Sequence, residues 1–170
     1  MPFTSSHAVV ALPFLRTPLV PAAIAVGAMS PDLPLFLRGL PLTYGVTHSF
    51  AWLPVTIVAT LMLLLVWRCI LRPAIRELSP RWLARRLPLK WDAGAAASLR
   101  ETFALRRRSD QAGSGGSAAG DRVSWRGTLV LLASLALGIL SHIVWDLFTH
   151  KGRWGAQVLP ALEDQWGPLA

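Results

Sequence analysis

Six side chains in this sequence combine residue type and spacing in a way that suits chemistry: His7, Asp32, His48, His142, Asp146 and His150. Three of them lie in one stretch, Ser141-His-Ile-Val-Trp-Asp-Leu-Phe-Thr-His150, at intervals of four. Four residues is close to one helical turn, so His142, Asp146 and His150 fall on one face of a helix. An imidazole and a carboxylate at i and i+4 can chelate one ion, and histidine–carboxylate sets suit zinc, manganese or iron. His150 lies about 12 Å further along the axis than His142. A straight helix therefore cannot bring both to one ion. Either the helix breaks near Thr149, or His150 serves a second ion or the substrate. Every histidine follows a hydroxyl residue: Ser6, Thr47, Ser141 or Thr149. Such a hydroxyl can cap a helix or hold a ligand histidine by a hydrogen bond. At Thr47 capping fits, because an apolar segment begins there. A single histidine beside an apolar segment is more often structural than a ligand. Six such groups at comparable positions argue for a shared polar site.

The elements that must carry these groups are apolar. Hydrophobic residues make up 53% of the 170 and charged residues only 15%, and mean hydropathy is +0.45. Soluble domains carry about 25% charged residues, so the composition points to an all-α, multi-pass membrane protein. Ser49–Trp67 and Gly127–Trp145 are free of charge and long enough to span. Trp52 and Trp67 bracket the first and Trp125 and Trp145 the second, as in an aromatic belt. The net charge of +8 has no groove-reading pattern, so no nucleic-acid partner is expected. Thirteen of the 17 Lys and Arg lie between the spans, which predicts a cytoplasmic linker and an outer-facing cluster at the cell membrane.

The linker centre, RRRSDQAGSGGSAAGDR, reads as flexible, and its flank SPRWLARRL suits either a helix on the bilayer surface or a solvated connection. The N-terminal apolar pieces 7–15 and 19–29 are interrupted by Arg16 and prolines, and neither spans alone. They predict a helical hairpin that dips into the membrane, followed by a tight Ser-Pro-Asp-Leu-Pro turn. There is no basic n-region, so no cleaved signal is expected. The expected organisation is 1–48 hairpin and turn, 49–67 span, 68–126 linker, 127–150 span with the polar stripe, and 151–170 outer tail. Cys69 alone can form no internal disulfide.

PFTSSHAVVALP, SPDLP, THSF and SHIVWDLFTHKGRWG together resemble the bacterial membrane family called domain of unknown function 4184. The resemblance covers about residues 2–55 and 125–156. More distantly, the chain resembles bacterial inner-membrane proteins labelled membrane-bound metal-dependent hydrolases, which share a PD turn, a THS motif and an SHxxxD motif. By that resemblance His7, Asp32, His48, His142, Asp146 and His150 match the polar positions. The H-x3-D pair is also similar to that of zinc-dependent phospholipase C and its nuclease relatives, as a local analogy. The expected activity is hydrolysis of a lipid-linked or phosphoester substrate, with a divalent metal such as zinc held by His7, His48, His142, Asp146 and His150. A carboxylate not used as a ligand, Asp32 or Asp146, would act as base. Lys151 and Arg153 would clamp an anionic substrate, or else only snorkel at the interface. The rival expectation is a non-catalytic scaffold or carrier. A carrier wants polar groups through the full membrane depth. Here the spans offer only Thr56, Thr60 and Ser134 in their interiors.

Overall fold

The computed structural model describes residues 4–37, 39, 42–103, 124–149 and 154–158. Among these every regular element is helical, as the composition and periodicity predict. Thr4–Phe14 winds as a 3-10 helix and packs against α1, Pro21–Met29. Arg16 and Pro18 fall in the break between them. Pro21 opens α1, where its missing N–H costs no helical bond. Just before it, the Val20 N–H donates to Ser134 Oγ at 2.9 Å. Ser30–Asp32 is a 3-10 turn, and single helical turns follow at Leu33–Phe36 and Tyr44–Thr47.

The second long element, α2, runs from Phe50 to Leu78 and is apolar enough to cross a membrane. It does not stop at Trp67, where the sequence pattern places the end of the span. Two features carry it on. Trp67–Leu71 is a π-turn in which the Arg72 N–H bonds Trp67 O. The ladder is thus already offset where Pro73 lacks a donor. Arg68, Arg72 and Arg76 also align four apart and find partners in the segment that folds back beneath them. Arg68 Nη1 donates to Thr102 Oγ1 at 3.0 Å, Arg72 to Glu101 and to Lys90 O, and Arg76 to Asp92 and to Pro88 O. Part of the expected linker is therefore ordered, including α3, Ala95–Phe103. The Gly/Ser-rich centre lies outside the described residues.

The helix α4, Trp125–Thr149, is the second element long and apolar enough to cross a membrane. A short α5, Trp154–Val158, packs on its C-terminal end. Ala23 of α1, Leu64 of α2, and Leu131 and Leu135 of α4 form the core. α1 and α4 approach most closely at Gly27 and Gly138. A Cβ on Gly27 would come within 2.6 Å of Leu135 O, and one on Gly138 would run into Ile24 O. Small residues permit this backbone contact, and it sets the Ala28 carbonyl beside His142. Hydroxyls tie the other contacts. Ser30 Oγ and Thr60 Oγ1 lie 2.6 Å apart, and Thr60 Oγ1 also reaches Thr56 O.

Candidate metal centre

Three backbone devices converge at one end of α2 and α4. The Ser30–Asp32 turn, stiffened by Pro31, buries the Asp32 side chain. The Tyr44–Thr47 turn ends at His48. α4 presents His142 and Asp146 on its buried face, one turn apart. Thr47 joins the first two: its Oγ1 donates to Pro31 O at 2.7 Å. That hydroxyl holds the two turns together and does not cap α2. Ser141 Oγ and Thr149 Oγ1 bond back to carbonyls of their own helix, Gly138 and Trp145.

The four side chains bring their ligand atoms together. Asp32, His48, His142 and Asp146 each offer one, all within 4.8 Å of one another. Nε2 of His48 lies 3.2 Å from Nε2 of His142, 3.3 Å from Asp146 Oδ2 and 3.7 Å from Asp32 Oδ1. Nε2 of His142 is 3.5 Å from each of the same two oxygens. Metal–ligand bonds of 2.0–2.2 Å in tetrahedral geometry put ligand atoms roughly 3.4 Å apart. All five separations bracket that value.

The protonation pattern points the same way. His142 Nδ1 lies 2.7 Å from Ala28 O, and His48 Nδ1 lies 3.0 Å from Tyr44 O. A carbonyl can only accept, so both Nδ1 atoms carry the proton. In neutral imidazoles both Nε2 atoms then expose lone pairs. They face each other and two carboxylates in a buried place. Four convergent acceptors need a positive charge among them. One proton between the two nitrogens would satisfy one pair only, and two would repel across 3.2 Å. A divalent cation would satisfy all four. The residues present therefore fit a metal ion, and the Nδ1–carbonyl bonds are the kind that orient metal-binding histidines.

Of the expected site residues, Asp32, His48, His142 and Asp146 form this group. His7 is buried beside it, with its ring centroid 4.2 Å from that of His142, and it is not one of the four. His150, Lys151 and Arg153 lie outside the described residues. One contributor, Tyr44, is not among the residues that the sequence singles out. Its ring stacks on His48 at 3.7 Å, and its hydroxyl donates to Asp146 Oδ2 at 3.4 Å. Its place four residues before His48 is the signal that points to it.

Two depressions flank α4. A cavity of about 400 Å³ is lined by His48 and Asp146 and walled by Phe50, Ile143 and Leu147. A larger one of about 590 Å³ lies toward the N-terminal helix and is lined by His7, Ser141 and Trp145, among others.

Fold and site together define an all-helical protein with two helices apolar enough to span a membrane and a buried His/Asp cluster that could hold a metal ion. A family model for the domain of unknown function DUF4184 matches residues 1–169, so the chain belongs to that family. No curated protein and no solved structure matches it.

Proposed function

We propose that this protein is a membrane-embedded, metal-dependent hydrolase whose site opens near the outer face and acts on a lipid-linked or phosphoester substrate. The observation that carries the reading is the set of four convergent acceptors, all within 4.8 Å of one another, with both imidazoles oriented by carbonyls. Membrane insertion is supported by where the apolar residues point. Only 17% and 39% of the most apolar windows of α2 and α4 are buried within the fold. A soluble protein would bury such helices. The N-terminal segment, with its 3-10 helix and α1, would be the piece that dips into the bilayer. The basic run between the spans favours a cytoplasmic linker, and the cluster lies at the opposite end of both helices.

Asp32, His48, His142 and Asp146 would hold a divalent ion, with zinc favoured by the ligand set and spacing. Such an ion, when bound, lowers the pKa of a coordinated water to about 7 and polarises the scissile group. The chain's own residues do the rest. The Ala28 and Tyr44 carbonyls keep both Nε2 atoms available. The Tyr44 hydroxyl steadies the Asp146 carboxylate. The 400 Å³ cavity admits water and a headgroup on the side of His48 and Asp146. Asp146 lines that cavity and Asp32 does not, so Asp146 is the carboxylate an entering water meets.

A second reading has its own observation. Four protein ligands are the complement of a closed, structural site. The ion would then only clamp the Asp32 turn, the His48 turn and α4 together. Cobalt-substituted protein separates the two. An open or expandable site changes its visible spectrum when inorganic phosphate is added, and a closed site does not. Purified protein should also release phosphate from a lipid phosphoester, and a chelator should stop it. A spectrum blind to phosphate, with no turnover, would leave the clamp.

A further inference from the structure

The cavity at His48 and Asp146 has a second wall, made by the start of α2. Ser49, Phe50 and Ala51 line it together with those two side chains. A helix leaves its first N–H groups without acceptors of its own. In α2 the first bond runs from the Trp52 N–H to Ser49 O at 3.1 Å. The N–H groups of Phe50 and Ala51 meet no acceptor among the described residues. Ser49 stands at the N-cap with extended backbone, φ −104° and ψ 128°. A serine hydroxyl there ordinarily bonds such N–H groups. This one makes no cap bond, and it has no other partner among the described residues. Three donors are thus open on one side of a cavity whose other side carries the cluster.

We propose that the first turn of α2 is an anion subsite, in which the Phe50 and Ala51 N–H groups and the Ser49 hydroxyl hold a charged oxyanion, a phosphate or a carboxylate, beside the metal centre. Backbone N–H groups only donate, and a hydroxyl can donate with them. They sit at the positive end of a helix of 29 residues, which favours negative charge. The other lining side chains, Phe50, Ala51, Ile143 and Leu147, are apolar, so these donors are what an entering anion meets. The opposite wall calls for a ligand too. The His48 side chain is only 4% exposed, and its Nδ1 takes the proton that bonds Tyr44 O, so no proton satisfies Nε2. Asp146 lines the same cavity, and its carboxylate alone would repel an anion. An ion in the cluster reverses that sign. Anion binding is therefore tied to metal occupancy, and by linkage the anion strengthens metal binding. Its place beside the ion rests on the metal-centre reading; that it belongs to a substrate rests on the hydrolase reading.

The test is calorimetric titration of inorganic phosphate, and separately of acetate, into the zinc-loaded full chain in detergent, with the zinc-free chain beside it. One anion or both should bind, which names the oxyanion, and removing zinc should weaken binding about tenfold or more. Phe50→Pro deletes one donor at the position where proline suits a helix, after a residue that is already extended. It should bind the anion about tenfold more weakly than Phe50→Ala, which loses the ring and keeps the N–H. Tenfold is the loss of about one hydrogen bond to a charged group. Ser49→Ala should lose about as much and Ser49→Thr should recover it, with zinc content and thermal unfolding unchanged. If Phe50→Pro folds poorly, the Ser49 pair carries the test. Equal affinities in Phe50→Pro and Phe50→Ala, together with wild-type affinity in Ser49→Ala, would overturn the subsite. Zinc bound with neither anion binding overturns it too and leaves the metal centre. Anion binding indifferent to bound zinc overturns the link between the two walls. Binding that depends on Ser49 and Phe50 in a chain that takes up no zinc supports the subsite and removes the metal-centre reading. Binding of this kind to the zinc-loaded chain without any turnover supports the subsite and removes the hydrolase reading alone.

Discussion

His142 joins several separate elements at the site. Its Nδ1 is held by Ala28 O, its Nε2 faces three other ligand atoms, and its ring meets His7. Asp146 is the sharper probe, because its charge can be removed with little change of shape. Asp146→Asn should lower metal affinity by well over the 10–100-fold typical of losing a supporting partner, with folding retained. Titration with zinc in detergent reads the affinity, and thermal unfolding reads the fold. Full affinity in the Asn variant would end the ligand role. Tyr44→Phe should do less, about tenfold or below, because the bond it loses to Asp146 Oδ2 is long, at 3.4 Å. A loss as large as that of Asp146→Asn would make Tyr44 part of the primary site. Asp32, His48, His142 and Asp146 could be picked out in the sequence by residue type, and His142 and Asp146 also by their four-residue interval. The distinction between them and His7 was not legible there. It depends on which ring meets which across three separate elements, and spacing along the chain does not encode that.

At the scale of elements, the crossing of α1 and α4 is what sets the Ala28 carbonyl against His142. A methyl at Gly138 has no room beside Ile24 O and Ala28 N. Gly138→Ala should therefore force the helices apart, costing about 1–3 kcal/mol, and should weaken metal binding without touching a ligand. Gly45→Ala is the control, since its added Cβ meets nothing within 4 Å. Equal behaviour of the two variants in thermal unfolding and metal titration would contradict this role for the crossing. The two long apolar helices were readable from composition, but the true length of α2 was not. Arginines at 68, 72 and 76 look like the end of a span. They also form a stripe that binds the returning segment, and the π-turn that accommodates Pro73 leaves no mark in hydropathy. The N-terminal stretch was legible as broken by Arg16 and its prolines. Its 3-10 winding was not, because apolar periodicity over so few residues does not separate helix types.

For the whole molecule, the proposed outer-facing site rests on the charge distribution along the chain. With Cys69 replaced by serine, a cysteine at Arg85 should resist an impermeant thiol reagent in intact cells, and one at Val158 should react. Both positions are exposed. The opposite labelling would turn the cluster to the cytoplasm. The central claim is that four side chains from separate turns and helices form one metal centre, and metal content tests it most directly. Protein purified in detergent without added chelator should carry one divalent ion per chain by elemental mass spectrometry. His48→Ala and His142→Ala, each from a different element, should both purify without it. A wild-type chain that holds no metal and takes up none from excess zinc, manganese or iron would contradict the account.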